Sequence, residues 1–577
     1  MDLSVLNDRQ REAVECLEGP LLVLAGAGSG KTKVLTYRIA NLVEHGVKPW
    51  NILALTFTNK AAQEMRERAS ALIGSDADEA WVTTFHSCCV RILRIDCDKI
   101  GYERSFTIYD DADQLKIIGD ILKNMGISDK AAPKRVIKEN ISNAKNKSLD
   151  VKRYIQENYS DDGITEKVFE QYQRRLMAAN AFDFDDLLVK TIELFEQCPE
   201  VLEKYQNRFK YVLVDEYQDT NMPQYRFVEM LCRKHGNLCV VGDDDQSIYG
   251  WRGADIKNIL SFEKDFEGAK VVRLEQNYRS TGTILEAANR VISHNQGRRG
   301  KNLWTSAGQG EKIILRTAED QVAESRSIVD TIHRMMAKPR PDGTPRCFHD
   351  FAVLYRTNSQ SSSVERAFAK SAIPYRMVGG TRFNDRKEIR DAIAYLQLIS
   401  NHADKERLLR IINEPKRKIG DKTLDAIRQL SEEQNCSLFD IMAHADEYPA
   451  LARCAANLKA FTALIDELTD VAAQSDMAAL FDAVMLKTGY MRMLLTSTES
   501  ETERIENLNE LKSNMMEYEQ KTENPTLVGF LEENALVADV DKYDDKADAV
   551  VLMTVHSAKG LEFPVVFAAG MGKQFNF

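Results

Sequence analysis

A glycine-rich loop between an apolar strand and a helix constrains this chain more than any other feature. Residues 20–24 predict a buried strand and residues 34–44 a helix, and between them runs Ala-Gly-Ala-Gly-Ser-Gly-Lys-Thr at positions 25–32. Glycines let consecutive backbone N–H groups point at phosphate oxygens. The segment fits a phosphate-binding loop in which Ala25 replaces the usual first glycine. In this context, a glycine-rich turn without a ligand is the weaker interpretation.

Apolar runs like this first strand recur along the chain. They lie at 52–57, 81–85, 211–214, 238–241 and 271–274, and in a second series at 312–316, 351–355, 375–378, 550–555 and 565–569. Continuous Val/Ile/Leu runs bounded by turn residues are typical of parallel sheets covered on both faces. Residues 104–180 lack strand runs, and a long helical stretch follows 386. The pattern predicts an α/β protein with two domains, each interrupted by a mostly helical insertion.

Composition excludes several classes of protein. The longest apolar runs fall short of the roughly 18 residues that a membrane span needs, and the N-terminus has no signal-peptide pattern. We therefore expect a cytoplasmic protein without a membrane partner. Ten cysteines without any Cys-x-x-Cys pair argue against a zinc knuckle or a redox motif. The net charge of −11 gives no support to nucleic-acid binding, yet an acidic protein can still contain a basic channel.

A pair of carboxylates predicts the second part of a phosphate site. Asp215 and Glu216 end a buried strand, where Asp215 would hold Mg²⁺ and Glu216 would orient and deprotonate the attacking water. In the loop, Lys31 would reach the β- and γ-phosphates and Thr32 would be the other Mg²⁺ ligand. An acidic surface turn is the alternative for the Asp-Glu pair.

Further blocks carry a family resemblance. They are Leu-Asn-Asp-Arg-Gln at 6–10, Asp-Glu-Tyr-Gln-Asp at 215–219, Gly-Asp-Asp-Asp-Gln-Ser-Ile-Tyr-Gly-Trp-Arg-Gly at 242–253, Leu-Glu-Gln-Asn-Tyr-Arg-Ser at 274–280 and Thr-Val-His-Ser-Ala-Lys-Gly-Leu-Glu-Phe at 554–563. Together with the loop they resemble the UvrD/PcrA/Rep family of superfamily 1 DNA helicases, in the family's order and over nearly the whole chain.

The resemblance implies two RecA-like P-loop domains with ATP between them. We predict the first domain at 1–103 and 181–275 with its insertion at 104–180. The second is predicted at 276–386 and 546–577, with its insertion at 387–545. The acidic stretch from 539 to 548 would be a solvated linker.

The resemblance also assigns residues to ATP and Mg²⁺. The catalytic group is Lys31, Asp215, Glu216, Gln246 and Arg279. The predicted nucleotide-binding residues are Gln10, Ala25, Gly26, Ala27, Gly28, Ser29, Gly30, Lys31, Thr32, Tyr278, Arg279 and Glu562. Gln246 would sense the γ-phosphate, Arg279 would hold phosphate oxygens, and Tyr278 would stack on adenine. A surface salt bridge for Arg279 and a core position for Tyr278 are the alternatives.

Aromatic and cationic residues predict a path for single-stranded DNA, which is held by stacking and phosphate contacts. The predicted DNA-binding residues are Phe57, Asn59, Thr84, His86, Tyr249, Trp251, Arg252 and His556. For any single aromatic, core packing is the alternative. Basic residues at 130–153 predict either a solvated helix face or a duplex contact, and the run at 416–423 is similar to the family's duplex-contacting hairpin.

The resemblance implies an ATP-dependent 3′-to-5′ DNA helicase and translocase, and the polarity rests on the resemblance alone. Its partners would be single-stranded DNA, junctions of single-stranded and double-stranded DNA, and proteins of DNA repair or replication. Family members continue beyond the last motif into a Thr-Arg-Ala segment with a second arginine finger, and no such segment follows position 563. The sequence thus predicts a truncated chain with an incomplete second RecA-like domain. The alternative function is a fragment that binds ATP and DNA with little hydrolysis or unwinding.

Overall fold

A computed structural model describes most of the chain. The described residues are 1–159, 163–295, 298–340, 343–378, 384, 386–434, 436–495, 501–536 and 547–571, with the backbone alone for 501–503. The strands are β1 (Leu21–Ala25), β2 (Ile52–Thr56), β3 (Trp81–Thr84), β4 (Thr107–Tyr109), β5 (Ala181–Asp183), β6 (Tyr211–Val214), β7 (Leu238–Gly242), β8 (Lys270–Leu274), β9 (Phe351–Tyr355), β10 (Tyr375–Met377), β11 (Val550–Thr554) and β12 (Val565–Ala568).

Helices account for most of the remaining described chain. The first fourteen are α1 (Asp8–Glu15), α2 (Lys31–Glu44), α3 (Asn59–Ile73), α4 (Asp76–Glu79), α5 (Phe85–Asp96), α6 (Asp111–Asn124), α7 (Lys134–Lys147), α8 (Val151–Asn158), α9 (Ile164–Ala178), α10 (Asp186–Gln197), α11 (Pro199–Arg208), α12 (Met222–Cys232), α13 (Lys257–Leu260) and α14 (Phe262–Asp265). The others are α15 (Gly282–Ile292), α16 (Gln321–Met336), α17 (Ser361–Lys370), α18 (Lys387–Ser400), α19 (Lys405–Ile411), α20 (Asp421–Gln434), α21 (Leu438–Ala443), α22 (Ala455–Gln474), α23 (Met477–Lys487), α24 (Tyr490–Leu495), α25 (Glu501–Lys521) and α26 (Leu527–Leu536).

The first sheet has six parallel strands in the order β3-β2-β6-β7-β1-β8. Strand β1 is buried throughout, and its alternate residues belong to two different cores. Leu22 and Leu24 pack into the core on one face, while Leu21 and Val23 pack into the core on the other. A parallel sheet covered by helices on both faces needs continuous apolar strands, and the predicted strands of this sheet are confirmed.

The second sheet has four parallel strands in the order β10-β11-β9-β12. Its predicted strands are also confirmed, except that the strand predicted at 312–316 is wrong. These residues are irregular and exposed, and Leu315 is 92% exposed. Hydropathy marks a segment that can pair, but a strand also needs a neighbouring edge, and no described strand pairs with this one.

The stretch at 104–180 was predicted without strands, and this too needs correction. Strand β4 lies inside it and pairs in parallel with β5, which begins just beyond it. Three-residue strands are too short to show a hydrophobic period, so the sequence gives no signal for them. The helices α6–α9 pack around a core of their own, and α18–α26 pack around another. These two cores agree with two helical insertions, while their limits stay predictions.

Ion pairs join the two helical regions. Arg407 of α19 donates to both carboxylate oxygens of Asp113 of α6, at 2.7 and 2.5 Å, and all of these groups are buried. Tyr109 donates from its hydroxyl to Asp404 at 2.6 Å. A buried, bidentate ion pair fixes the relative orientation of the two groups more than it adds stability. Within the described residues, no helix is long and apolar enough to cross a membrane.

Candidate functional site

The glycine-rich loop joins β1 to α2 as predicted. Gly28 and Gly30 have φ of 64° and 85°, a conformation that other residues adopt only with strain. Gly30 is the N-cap of α2, and no side chain caps the helix there. The first N–H groups of α2 are therefore available to an anion. A β-carbon on Gly28 would meet the Asn277 amide nitrogen at 2.6 Å, so the loop is closely covered.

Lys31 and the predicted carboxylates meet at the end of this loop. The Lys31 ammonium lies 2.7 Å from a Glu216 carboxylate oxygen. Burial lowers the pKa of Lys31, but the carboxylates of Glu216, Asp215 and Asp243 outweigh burial and raise it. Burial, and after it the neighbouring Glu216 carboxylate, raise the pKa of Asp215 to about 7. Burial opposes ionisation of Glu216, yet Lys31 and Lys559 lower the net pKa of this carboxyl.

Gln246 is tied into the same region through Asp243. The Gln246 amide donates to an Asp243 carboxylate oxygen at 2.6 Å, and the Asp243 N–H donates to the Gln218 side-chain oxygen at 2.9 Å. The Lys559 ammonium donates to the Gln246 carbonyl at 2.8 Å and pairs with Asp219. The segments at 215–219, 243–246 and 556–562 therefore form one polar network, although the sequence separates them widely.

The turn that carries Tyr278 and Arg279 lies over the glycine-rich loop. The Tyr278 N–H donates to the Gly28 carbonyl at 2.9 Å, and the Asn277 amide donates to the Ala27 carbonyl at 2.6 Å. Arg279 makes the salt bridge considered as its alternative, with Glu562 at 2.6 Å. Tyr278 is 54% exposed, which excludes the core position. The turn thus contacts the phosphate loop directly, through its backbone and the Asn277 side chain.

The segment before α1 closes another side of the loop. The Gln10 amide donates to the Ser29 carbonyl at 2.9 Å, and the Asn7 amide donates to the Tyr278 hydroxyl at 2.7 Å. Gln10 is buried, while the Tyr278 ring is open to solvent. A flat ligand on this ring would lie beside the loop. The structure therefore brings the predicted nucleotide-binding residues together, with Thr32 half-buried in the first turn of α2.

A second cluster consists of Tyr249, Trp251, Arg252 and His556, which we name the aromatic platform. The Trp251 and His556 rings lie 5.9 Å apart at a steep angle, and the Arg252 guanidinium lies 4.6 Å from the Trp251 ring centre. The Tyr249 hydroxyl donates to the His556 carbonyl at 3.1 Å. Trp251 is 60% exposed, which excludes core packing for it. Exposed rings and a cation in one place are what single-stranded nucleic acid needs.

The other predicted strand contacts lie at the ends of β2 and β3. Phe57 is half-buried and its ring lies 5.6 Å from that of Phe85, so part of the Phe57 side chain packs against the core. The Asn59 amide donates to the Leu536 carbonyl at 3.1 Å. Thr84 is buried and its hydroxyl accepts from the Ser87 N–H at 3.2 Å, which caps α5. Phe57 and Asn59 stay predictions for DNA contact, whereas the Thr84 hydroxyl already serves the helix.

The structure adds two residues that the sequence reasoning missed. Phe184 is 39% exposed and stacks on His86 with ring centres 3.9 Å apart. Burial lowers the pKa of His86 to about 3, so this ring is neutral. Phe184 follows β5 directly, and a strand period of two would place it on the same face as the buried Phe182, so the sequence pattern contains no signal for its exposure. The other missed residue is Lys559, whose charge partner could not be identified from the sequence.

Four of the eight basic residues at 130–153 form ion pairs with nearby carboxylates. Lys145 is fully buried between Asp183 and Asp186, at 2.6 and 2.7 Å. Lys138, Lys152 and Arg153 pair with nearby carboxylates as well. Ion pairs within the protein therefore account for four of these cations, and the duplex contact stays a prediction. In the run at 416–423, Arg417 turns inward to the Tyr395 hydroxyl at 2.7 Å, whereas its neighbours on both sides are exposed.

Two family descriptions match the chain, and the boundary between them falls at β8, a strand of the first sheet. The "UvrD/REP helicase N-terminal domain" matches residues 6–267, and the "UvrD-like helicase C-terminal domain" matches residues 272–575. The chain belongs to the UvrD/REP helicase family. The sequence-based assignment to an α/β helicase fold with parallel sheets and to a DNA helicase enzyme is thereby confirmed.

Similar proteins include "ATP-dependent DNA helicase PcrA" of Bacillus subtilis (strain 168), at 47% identity over 579 residues that cover 99% of this chain and 78% of the relative. The PcrA helicase of Staphylococcus aureus (strain NCTC 8325) is 48% identical over 576 residues with the same coverage. That of Staphylococcus epidermidis is 48% identical over 572 residues, or 98% of this chain and 77% of the relative. These matches do not support the prediction that this helicase is a truncated fragment.

Proposed function

We propose that the chain uses ATP hydrolysis to move along single-stranded DNA in the 3′-to-5′ direction and to unwind duplexes. One observation carries this proposal. Two segments run from the nucleotide cleft to the aromatic platform: residues 243–252 bear Gln246 and Trp251, and residues 556–562 bear His556 and Glu562. Lys559 joins them at the Gln246 carbonyl, at 2.8 Å, and the Tyr249 hydroxyl joins them again at the His556 carbonyl. A change at the γ-phosphate can therefore move the platform directly.

In the cleft, each charged side chain has a role that fits its position. Lys31 would contact the β- and γ-phosphates, exchanging its ion pair with Glu216 for the nucleotide. Glu216, whose pKa is lowered, would then be a free carboxylate that accepts a proton from the attacking water. Arg279 would exchange part of its exposed pair with Glu562 for phosphate oxygens. Gln10 and Tyr278 would flank the adenine.

Thr32 and Asp215 would hold Mg²⁺. The fit rests on Asp215, a buried carboxyl whose pKa is raised to about 7 and which therefore favours binding a cation. The bound ion would neutralise phosphate charge and align the γ-phosphate for attack. The glycine loop fits the phosphates themselves, because the first turn of α2 offers N–H groups without a side-chain cap.

The DNA path would run over the aromatic platform and past Phe57, Asn59 and the His86–Phe184 stack. Bases would stack on Trp251 and Phe184, which are both exposed. The neutral His86 ring favours stacking over an ion pair with phosphate. The 3′-to-5′ polarity rests on the family resemblance. Junctions of single-stranded and double-stranded DNA as substrates, and repair or replication proteins as partners, belong to the same proposal.

The test is a pair of assays on the whole chain. ATP turnover should rise on addition of single-stranded DNA, and the chain should unwind a duplex with a 3′ tail in preference to the same duplex with a 5′ tail. If ATP turnover is the same with and without DNA, the proposed coupling of ATP hydrolysis to DNA is wrong. Preference for the 5′ tail would contradict the polarity alone.

A further inference from the structure

Lys301 is a buried lysine outside every motif on which the site was predicted. It is 7% exposed, and its ammonium lies 2.6 Å from an Asp243 carboxylate oxygen and 3.4 Å from one of Asp245, with Asp244 also paired to it. Among the described residues, no other lysine or arginine side chain pairs with Asp243 or Asp244. Burying an ammonium group costs free energy, so a buried lysine in this position points to a structural or functional role.

Asp243 connects this lysine to the phosphate sensor. One Asp243 oxygen contacts Lys301 and the other accepts from the Gln246 amide at 2.6 Å. Asp243 is also one of the carboxylates that raise the pKa of Lys31, so its field reaches the phosphate loop. Without Lys301, Asp243 would carry an unbalanced negative charge beside the site for the triphosphate, and the anchor of Gln246 would be free to shift.

The segment around Lys301 continues to the other side of the cleft. The Trp304 N–H donates to the Glu275 carbonyl at 3.1 Å, and the Asn277 N–H donates to the Trp304 carbonyl at 2.8 Å. These bonds fix the turn that carries Tyr278 and Arg279. We name residues 298–304 the strap. Its first half holds the acidic loop at 243–245, and its second half holds the arginine turn.

The first half of the strap is anchored by more than one residue. Arg298 donates to both carboxylate oxygens of Asp245, at 2.8 and 2.7 Å, and to the Lys301 carbonyl at 3.1 Å. The Arg299 N–H donates to Asp244 at 2.8 Å. The acidic loop belongs to the part matched by the N-terminal helicase domain and the strap to the part matched by the C-terminal one. The strap therefore crosses between the two halves of the motor.

We infer that Lys301 is a positioning residue for ATP hydrolysis, which sets Gln246 against Arg279 by clamping Asp243 to the strap. The inference rests on the proposed function and extends it by a residue that touches neither ATP nor DNA. A positioned group that moves by a fraction of an ångström loses most of its effect on the transition state but little of the binding of the ground state. The effect of Lys301 should therefore appear in kcat and pass through Gln246.

The test is a double-mutant cycle of ATP turnover with saturating single-stranded DNA. Lys301→Met should lower kcat about tenfold or more while the KM for ATP changes less than about threefold. In the Gln246→Ala background, the same Lys301→Met change should lower kcat by less than about threefold, because the group that it positions is gone. Lys264→Met, an exposed lysine of α14, is the matched control and should leave kcat unchanged.

Equal losses of kcat in the two backgrounds, or a loss confined to KM, would overturn the inference. If Lys301→Met does not give the circular dichroism spectrum of the unaltered chain, Arg298→Gln is measured in the same cycle. Arg298 is partly exposed, so its loss should lower kcat several-fold, again only when Gln246 is present. Absence of DNA stimulation in the unaltered chain would count against the proposed function instead, and the cycle would then be run on basal turnover.

Discussion

The nucleotide cleft and the aromatic platform are connected by two shared segments, yet they are built by opposite means. In the cleft, Lys31 and Glu216 are largely buried and form an ion pair with each other. In the platform, Trp251 is 60% exposed, and its neighbours are rings and a cation instead of ion-pair partners. A ligand in the cleft has to replace existing ion pairs, whereas a ligand on the platform only has to cover rings that already face solvent.

This difference predicts how each region responds to substitution. A change in the cleft leaves a buried charge without a partner and removes a contact to the developing transition state, so its cost should be large and specific to turnover. A change in the platform removes stacking area, so its cost should be moderate and appear in DNA affinity.

The largest effect should follow Lys31→Ala. This change removes a phosphate contact, and we expect ATP turnover to fall at least about a hundredfold, together with a loss of ATP binding. Glu216→Gln keeps the shape of the side chain and should stop hydrolysis while ATP still binds. Nucleotide binding measured by fluorescence and turnover measured by phosphate release separate the two. An equal loss of ATP binding in both variants would contradict the division of roles.

Trp251→Ala tests the platform. The loss of a stacking surface should weaken single-strand binding by about 1–3 kcal/mol, and DNA stimulation of turnover should fall more than basal turnover. Fluorescence anisotropy of a labelled oligonucleotide measures the affinity. Trp50→Ala is the matched control, because Trp50 is 45% exposed and lies outside both regions. Unchanged affinity in the Trp251 variant would show that the platform does not bind DNA.

The pH dependence of the metal requirement tests the cleft again. Because the pKa of Asp215 is raised to about 7, its carboxyl holds a proton at lower pH, and this proton competes with Mg²⁺. The Mg²⁺ concentration for half-maximal turnover should therefore rise as pH falls, about tenfold at one pH unit below the pKa. The Mg²⁺ affinity of free ATP at each pH is the control. If the Mg²⁺ concentration for half-maximal turnover is the same above and below pH 7, Asp215 is not a ligand of the metal.

The smallest effect should follow Tyr249→Phe. The change keeps the ring of the platform and removes the hydrogen bond to the His556 carbonyl, which is worth about 1 kcal/mol. We expect DNA affinity to stay nearly constant while DNA stimulation of turnover falls a few-fold, since this bond joins the two segments. A change in affinity without a change in stimulation would assign Tyr249 to binding alone.

The sequence was most informative where residues with a recognisable chemical role lie at the ends of predicted strands. Lys31 and Asp215 could be placed at one site because the carboxyl ends of parallel strands meet at one edge of a sheet. The exposure of Trp251 followed from its place in a motif beside Gln246. The strand predicted at 312–316 failed because apolar residues mark the capacity to pair but supply no neighbour.

By itself, the sequence determined the parallel α/β fold, the phosphate loop and the family. Each of these can be recognised from short patterns of residues that are close along the chain. Only the tertiary structure decided the long-range partners. It closed Arg279 onto Glu562, buried Lys145 among carboxylates of its own region and set Lys301 against Asp243. Charge pairs act over a few ångströms of space, and the distance between two residues along the chain contains no record of that separation.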